Sequence, residues 1–317
     1  MSLPNKIRTL PPLVCPSSGR DIAGVEIVGS PRAATSFADC LRKCTICDVG
    51  ASNTVDAKTA TYIYLNPLES IPMDSREGAI EALSKALNEQ NRKPKLKKFG
   101  FSTSEDAVTW VVFTHLLQPG QLIKGLRRIG VATGAARNNN ATLLLWGVPI
   151  NGGDRGDETR GQLTSCCVSL GEDPKSLSEP DVIIDLGDGG LVFIEVKYRS
   201  GNEFKEEDYP GWKKYLGSST LAWRSDEVKR SGCYELARNW RLLNVLAGNR
   251  SATLVNLGPP SLFQGKKGAE LERFIAALGT SKRSQFKKVT WSELLGEVLP
   301  EAPKWFSEFC DDRGLAT

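Results

Sequence analysis

The strongest constraint on the fold lies between Glu179 and Ser200, where two apolar runs flank a glycine-rich break. Val182, Ile183, Ile184 and Leu186 form one run, and Leu191, Val192, Phe193, Ile194 and Val196 form the other. Continuous β-branched and aromatic runs of this length read as strands covered on both faces, as inside an α/β sheet. Gly187, Asp188, Gly189 and Gly190 supply the backbone freedom of a tight hairpin turn. Strands this apolar leave little room for charge. Yet Asp181 opens the first run, and Glu195 and Lys197 interrupt the second. Charge in such a place is kept only when it is paired or binds something.

Side chains two apart in a strand share a face, so Glu195 and Lys197 point the same way. A three-residue loop over Gly187 to Gly189 sets Leu186 opposite Gly190 and Asp181 opposite Glu195, on that same face. A four-residue loop sends Asp181 to the other face. In the first register two carboxylates and one ammonium converge. Acidic oxygens suit Mg²⁺, which binds through one or two carboxylates plus phosphate and water. An ammonium beside them can orient or activate a water, or stabilise charge on a phosphate. The plainer alternative is a hairpin whose Glu and Lys form only a cross-strand ion pair.

Pro180-Asp181 and Glu195-Val196-Lys197, set on two apolar strands with a Gly-rich turn, resemble the core motif of the PD-(D/E)xK nuclease superfamily. The resemblance covers roughly residues 104 to 260. It implies an α/β, restriction-endonuclease-like fold: an αβββαβ core whose mixed central sheet is flanked by helices. It implies a nuclease, dependent on Mg (or Mn), that hydrolyses phosphodiester bonds of DNA. Asp181 and Glu195 would hold the metal, and Lys197 would place or deprotonate the attacking water. In that fold the helix before the sheet often presents a glutamate to the site. Ser104-Glu105-Asp106, ahead of Trp110, looks like that element, with Glu105 the candidate and Asp106 the alternative. Acids that merely satisfy the helix dipole are the other reading. Arg238, on a later helix, is a supporting candidate. A restriction-type or defence-associated endonuclease is the setting this suggests, and cutting both strands makes a homodimer a compatible assembly. The alternatives are a DNA-binding protein that keeps the fold without cutting, and an interaction protein whose hairpin carries only an ion pair.

The rest of the chain narrows the chemistry. His115 is the sole histidine, which removes mechanisms that need two, including common zinc hydrolase sites. The phosphate-loop pattern Gly-x4-Gly-Lys-Ser/Thr is absent from the 317 residues. No apolar run reaches the length of a membrane span and no secretory h-region opens the chain, so a cytoplasmic protein is expected. A net charge of +4 is compatible with a polyanionic partner. Arg92, Lys93, Lys95, Lys97 and Lys98 form the densest basic cluster. Lys93, Lys95, Lys97 and Lys98 are candidate DNA phosphate contacts, or else a solvated basic turn.

Four of the eight cysteines, Cys15, Cys40, Cys44 and Cys47, fall within residues 1 to 55. That region is expected to stand apart from a nuclease domain over 56 to 317. Cys44-Thr45-Ile46-Cys47 has the spacing of a zinc half-site. Cys15 is followed by Pro16-Ser17-Ser18-Gly19, where a zinc ribbon would usually show a second cysteine, so Cys40 is the candidate to complete a structural zinc site. Free buried thiols and an iron–sulfur cluster are the alternatives. Cys166, Cys167, Cys233 and Cys310 read as packing residues.

Periodicity and capping predict helices over 75 to 88 behind an Asp74 cap, from Ser102 or Ser104 to Leu117, and over 121 to 129. Others are expected over 160 to 170, 231 to 247 and 269 to 278, with a last one holding Trp305, Phe306 and Phe309. Strands are expected over 142 to 147, 251 to 257 and 286 to 291, with Ser292 capping the helix that follows. Residues 135 to 140 and the polar, Gly-rich stretch 151 to 160 read as loops.

Overall fold

The computed structural model describes residues 7–134, 140–217 and 223–316. The loop expected over 135 to 140 falls, apart from Asn140, outside the described residues. The N-terminal part is built of short strands: Ile7–Leu10 (β1), Leu13–Val14 (β2), Asp21–Ile22 (β3), Val25–Val28 (β4), Arg42–Lys43 (β5), Val49–Ala51 (β6) and Tyr62–Tyr64 (β7). β1 pairs with β4, β2 with β3, and β5-β6-β7 form a three-stranded sheet. Its last strand lies past residue 55 and leads into the rest of the chain, with an isolated bridge from Ile63 to Phe101. The core here is small: Leu13, Cys15, Ile22, Cys44, Val49 and Ala51. The buried guanidinium of Arg42 ties the unit together by donating to the carbonyls of Pro11, Ser52 and Thr54.

Helices Ala79–Ser84 (α1), Glu89–Phe99 (α2), Glu105–Leu116 (α3) and Gln121–Arg128 (α4) follow. Instead of one helix behind Asp74, α1 starts after Gly78 in a left-handed conformation (φ 75°), and Asn88 caps α2 by accepting from Gln90 N and Asn91 N. Ser104 caps α3 by accepting from Ala107 N, as expected.

The larger unit is mixed α/β. Strands Thr142–Leu145 (β8) and Val148–Pro149 (β9) are followed by helix Gly153–Ser169 (α5), then by Val182–Asp185 (β10) and Leu191–Val196 (β11). Helices Trp212–Leu216 (α6), Ser225–Ser231 (α7) and Tyr234–Ala247 (α8) lead to Ala252–Gly258 (β12). Helices Gly265–Ala277 (α9) and Thr280–Arg283 (α10), strand Phe286–Thr290 (β13), and helices Trp291–Leu295 (α11) and Lys304–Asp312 (α12) complete it. The six strands run β13-β12-β11-β10-β8-β9 across the sheet. β13, β12 and β11 are parallel, and β10, β8 and β9 are antiparallel to their neighbours.

Both faces of the sheet are covered, which is why its central strands are apolar throughout. One face, with Val182, Ile184, Val192 and Ile194, packs under α3, α4, α11 and α12. The other, with Ile183, Leu191, Phe193 and Leu254, packs under α5, α8 and α9. Each fully buried chain of this kind contributes about 1.5–3 kcal/mol.

Three local expectations are corrected. Residues 153 to 160 belong to α5, a helix of 17 residues, and do not form a loop. Of its three glycines, Gly156 has a packing reason: a Cβ there would lie 2.7 Å from the Pro149 side chain. The cap of α11 is Thr290 rather than Ser292, in a capping box with Glu293. The helix before β12 begins at Tyr234, with the short α7 preceding it. No helix among the described residues is long and apolar enough to cross a membrane.

Candidate functional site

The hairpin fixes the site. Its register pairs Val182 with Ile194 and Asp185 with Leu191, around a three-residue turn over Gly187–Gly189, and Leu186 N donates to Gly190 O at 2.9 Å. Continued by one residue, this register sets Asp181 opposite Glu195, and Asp181 Oδ2 accepts from Val196 N at 2.9 Å. Asp181, Glu195 and Lys197 therefore meet at the carboxyl end of β11, on the face covered by α8. Open ends of this kind are where α/β sheets bind ligands. Glu195 and Lys197 are 3% and 5% exposed, so neither is solvated like a surface charge.

Two helices complete the site from opposite faces. From α8, Asn239 Nδ2 donates to Glu195 Oε2 at 2.6 Å, and Glu235 Oε2 lies 2.9 Å from Lys197 Nζ. Arg238 stands 3.9 Å from Glu235. From the other face, the first residue of α3, Glu105, accepts from Tyr198 N at 2.8 Å and from Ser200 Oγ at 2.5 Å. Lys197 Nζ also donates to Glu195 Oε1 at 2.5 Å. Asp181, Glu195, Lys197, Glu235, Arg238 and Glu105 line a polar cleft of about 480 Å³.

The charges are not balanced. Asp181, Glu195, Glu235 and Glu105 surround Lys197 and Arg238, so acids outnumber bases. Asp181 keeps some surface in the cleft but is closely hemmed in. Burial, together with Glu105, pushes its carboxyl up to about 7 even though Lys197 and Lys95 oppose the shift. Burial and the adjacent Asp181 and Glu235 raise Glu195 well above the carboxylate range. Burial alone would favour a neutral Lys197, but Glu195, Glu235 and Asp181 together hold it protonated, well above the usual ammonium range. For Glu235 burial is outweighed by Lys197 and Arg238, which lower it.

The basic cluster divides. Lys93, Lys97 and Lys98 are exposed, and Lys97 Nζ reaches Thr35 Oγ1 at 3.2 Å. Lys95 is no surface contact. Its Nζ lies 3.0 Å from Asp106 and 3.2 Å from Glu179, and 5.2 Å above the Trp146 ring. Asp106 thus serves Lys95 rather than the hairpin. Lys95 and Lys98 also border a second cleft of about 490 Å³ that reaches Glu105, Asp181 and Arg199. His115 is packed away, its ring stacked on Phe306 at 3.8 Å between centroids.

Three of the four N-terminal cysteines come together. Cys15, Cys44 and Cys47 have their Sγ atoms within 4.8 Å of one another, a group that could hold a metal ion. Cys15 and Cys47 are 3.2 Å apart, and Cys47 and Cys44 are 3.3 Å apart. Cys40 is not brought to this group. Its thiol lies 3.5 Å from Ser36 O and packs on Gly50, where a Cβ would sit 2.7 Å from its sulfur. Cys166, Cys167, Cys233 and Cys310 are buried and free.

Sequence reasoning singled out neither Glu235 nor Asn239 for the site. The available signal was the polar stripe Glu235, Arg238 and Asn239, spaced three and four apart along a helix whose opposite stripe is Leu236, Trp240 and Leu243. No protein family, curated protein or solved structure matches this chain.

Proposed function

We propose that the protein is a metal-dependent nuclease acting on DNA, with a restriction-endonuclease-like core formed by α3, β8, β10, β11, α8 and β12. The observation that carries this reading is the convergence of Asp181 with the buried Glu195 and Lys197 at the open end of β11, with Glu105 of α3 lining the same cleft. An excess of carboxyl oxygens in a polar cleft fits a hard divalent cation such as Mg²⁺ or Mn²⁺. One oxygen of Asp181 takes the Val196 N–H, which leaves lone pairs for a metal. Asp181 and Glu195 would hold the ion, which when bound polarises the scissile phosphate and lowers the pKa of a bound water.

The residues of the chain do the rest. An ammonium has three protons to donate. Two of those on Lys197 point at Glu195 and Glu235, and the third is left to position a water or meet a phosphate oxygen. Set beside Glu195, Lys197 would place or deprotonate the attacking water. Asn239 fixes the Glu195 carboxylate, and Glu105 holds the backbone that leaves β11. Lys98 and Arg199 stand where a phosphate backbone would enter the adjoining cleft. The same reading places the protein in the cytoplasm, makes zinc the occupant of the N-terminal thiol group, and leaves a homodimer as the way to cut both strands.

The test is a cleavage assay with Mg²⁺ or Mn²⁺ on supercoiled, linear, single-stranded and branched DNA. Wild type is expected to cut at least one of these. Lys197→Ala and Asp181→Asn are expected to lose at least about 100-fold in rate while still binding DNA. Tight DNA binding with no cleavage on any substrate would favour a silent DNA-binding protein instead.

A further inference from the structure

Three thiolates leave one corner of a tetrahedral metal site unfilled, and the turn that carries Cys15 supplies a group for it. The two turns at the thiol cluster close in the same way. Cys15 N donates to Arg20 O at 2.8 Å, five residues on, and Cys44 N donates to Val49 O at 2.8 Å, also five residues on. Within these matching turns Ser18 occupies the position, three after Cys15, that Cys47 occupies three after Cys44. Ser18 Oγ lies 3.5 Å from Cys44 Sγ. The sulfur separations of 3.2 and 3.3 Å, with none above 4.8 Å, bracket the ~3.7 Å edge of a tetrahedron with zinc–sulfur bonds of about 2.3 Å.

We propose that Ser18 Oγ is the fourth ligand of a structural Cys₃Ser zinc site made by Cys15, Cys44, Cys47 and Ser18, and that Cys40 is no part of it. The inference rests on the zinc reading above and adds the identity of the ligand set. The unit needs such a clamp. Its sheets are two or three strands wide and share a core of six buried side chains, below what usually holds a unit of this size together without a metal or disulfides. Its described cysteines are all free. On binding, the ion displaces thiol protons to solvent, and the serine coordinates as a neutral hydroxyl.

The experiment uses the full-length protein, its zinc content by elemental analysis, and titration with Co²⁺ followed by absorption. Wild type is expected to carry one zinc. Ser18→Ala should bind at least about 10-fold more weakly. Ser18→Cys should bind more tightly and show stronger sulfur-to-cobalt charge transfer with shifted d–d bands, the signature of a fourth thiolate. Cys40→Ala should bind as wild type does. A wild type that takes up neither zinc nor cobalt overturns the zinc reading and this inference with it. A wild type that binds metal, with Ser18→Ala unchanged, overturns the serine assignment alone, as does a loss of affinity in Cys40→Ala. If Ser18→Ala does not fold, Ser18→Cys decides: an affinity and spectrum equal to wild type count against the proposal.

Discussion

At the scale of single residues, Asp181 and Lys197 are both held more firmly protonated in the fold than when exposed, in different pH windows. The Asp181 carboxyl has a pKa of about 7 in the folded chain and near 3.8 when exposed. Between those values the folded state holds a proton that the unfolded state has released. Stability from this group therefore falls as pH rises from about 4 to 7 and is flat outside that window. A shift of this size corresponds to about 1–4 kcal/mol. Asp181→Asn removes it, so without divalent metal the variant should melt a few degrees above wild type at pH 8 and converge with it near pH 4. Thermal unfolding in chelator across that range checks the expectation, and a wild type whose stability climbs relative to the variant between pH 5 and 7.5 would contradict it. Added Mg²⁺ should raise the melting point of wild type and leave Asp181→Asn unmoved. Lys197 behaves differently, because its charge is secured by three acids. Lys197→Met should destabilise the metal-free protein by about 3–5 kcal/mol in urea unfolding, since it strands Glu195 and Glu235 without their cation.

Among the elements, the β10–β11 hairpin was the most legible in sequence, because its signals are local: two apolar runs and a turn of glycines. Gly190 shows how strict the turn is. Its φ is 114°, and a Cβ there would lie 2.6 Å from the Ser251 carbonyl, where β11 meets the chain leading into β12. Gly190→Ala should cost about 2–3 kcal/mol, read as a lower urea midpoint with an unchanged slope. What sequence did not reveal depends on contacts made from afar. α5 looked like a loop because glycine and charge disfavour an isolated helix. In the fold, Gly156 lets it sit against Pro149, while Thr159 and Arg160 bond to Asp185 and to Gly147 O. Lys95 was read with its basic neighbours because spacing alone does not tell which face of α2 meets Asp106 and Glu179. Glu235 and Asn239 lie 38 and 44 residues from the groups they touch. Counting thiols favoured Cys40, where geometry favours Ser18.

For the whole molecule, the N-terminal unit and the sheet have separate hydrophobic cores. β7 connects to the chain beyond it through Tyr64 N donating to Gly100 O, Ser102 N donating to Tyr62 O and Tyr62 N donating to Ser102 Oγ, and Lys97 Nζ reaches Thr35 Oγ1. The sheet has its own core on both faces and should survive removal of the metal proposed for the thiol group. Treating the full-length protein with a strong zinc chelator should expose residues 7 to 60 to protease while residues 105 to 310 stay protected, as read by limited proteolysis and mass spectrometry. Cutting at equal rates in both parts would contradict that division.

The sequence separations within the site also set an order in time. Asp181 meets Val196 across 15 residues, Asn239 meets Glu195 across 44, and Glu105 meets Tyr198 across 93. Loop closure disfavours the longer contacts, so the hairpin can form early, whereas the α3 and α8 contacts close longer loops. A chain emerging from the ribosome would therefore carry its acidic pair before Glu235 and Asn239 of α8 are made. Whatever chemistry the cleft performs is withheld until folding is almost finished, and a stalled or misfolded chain is left without it.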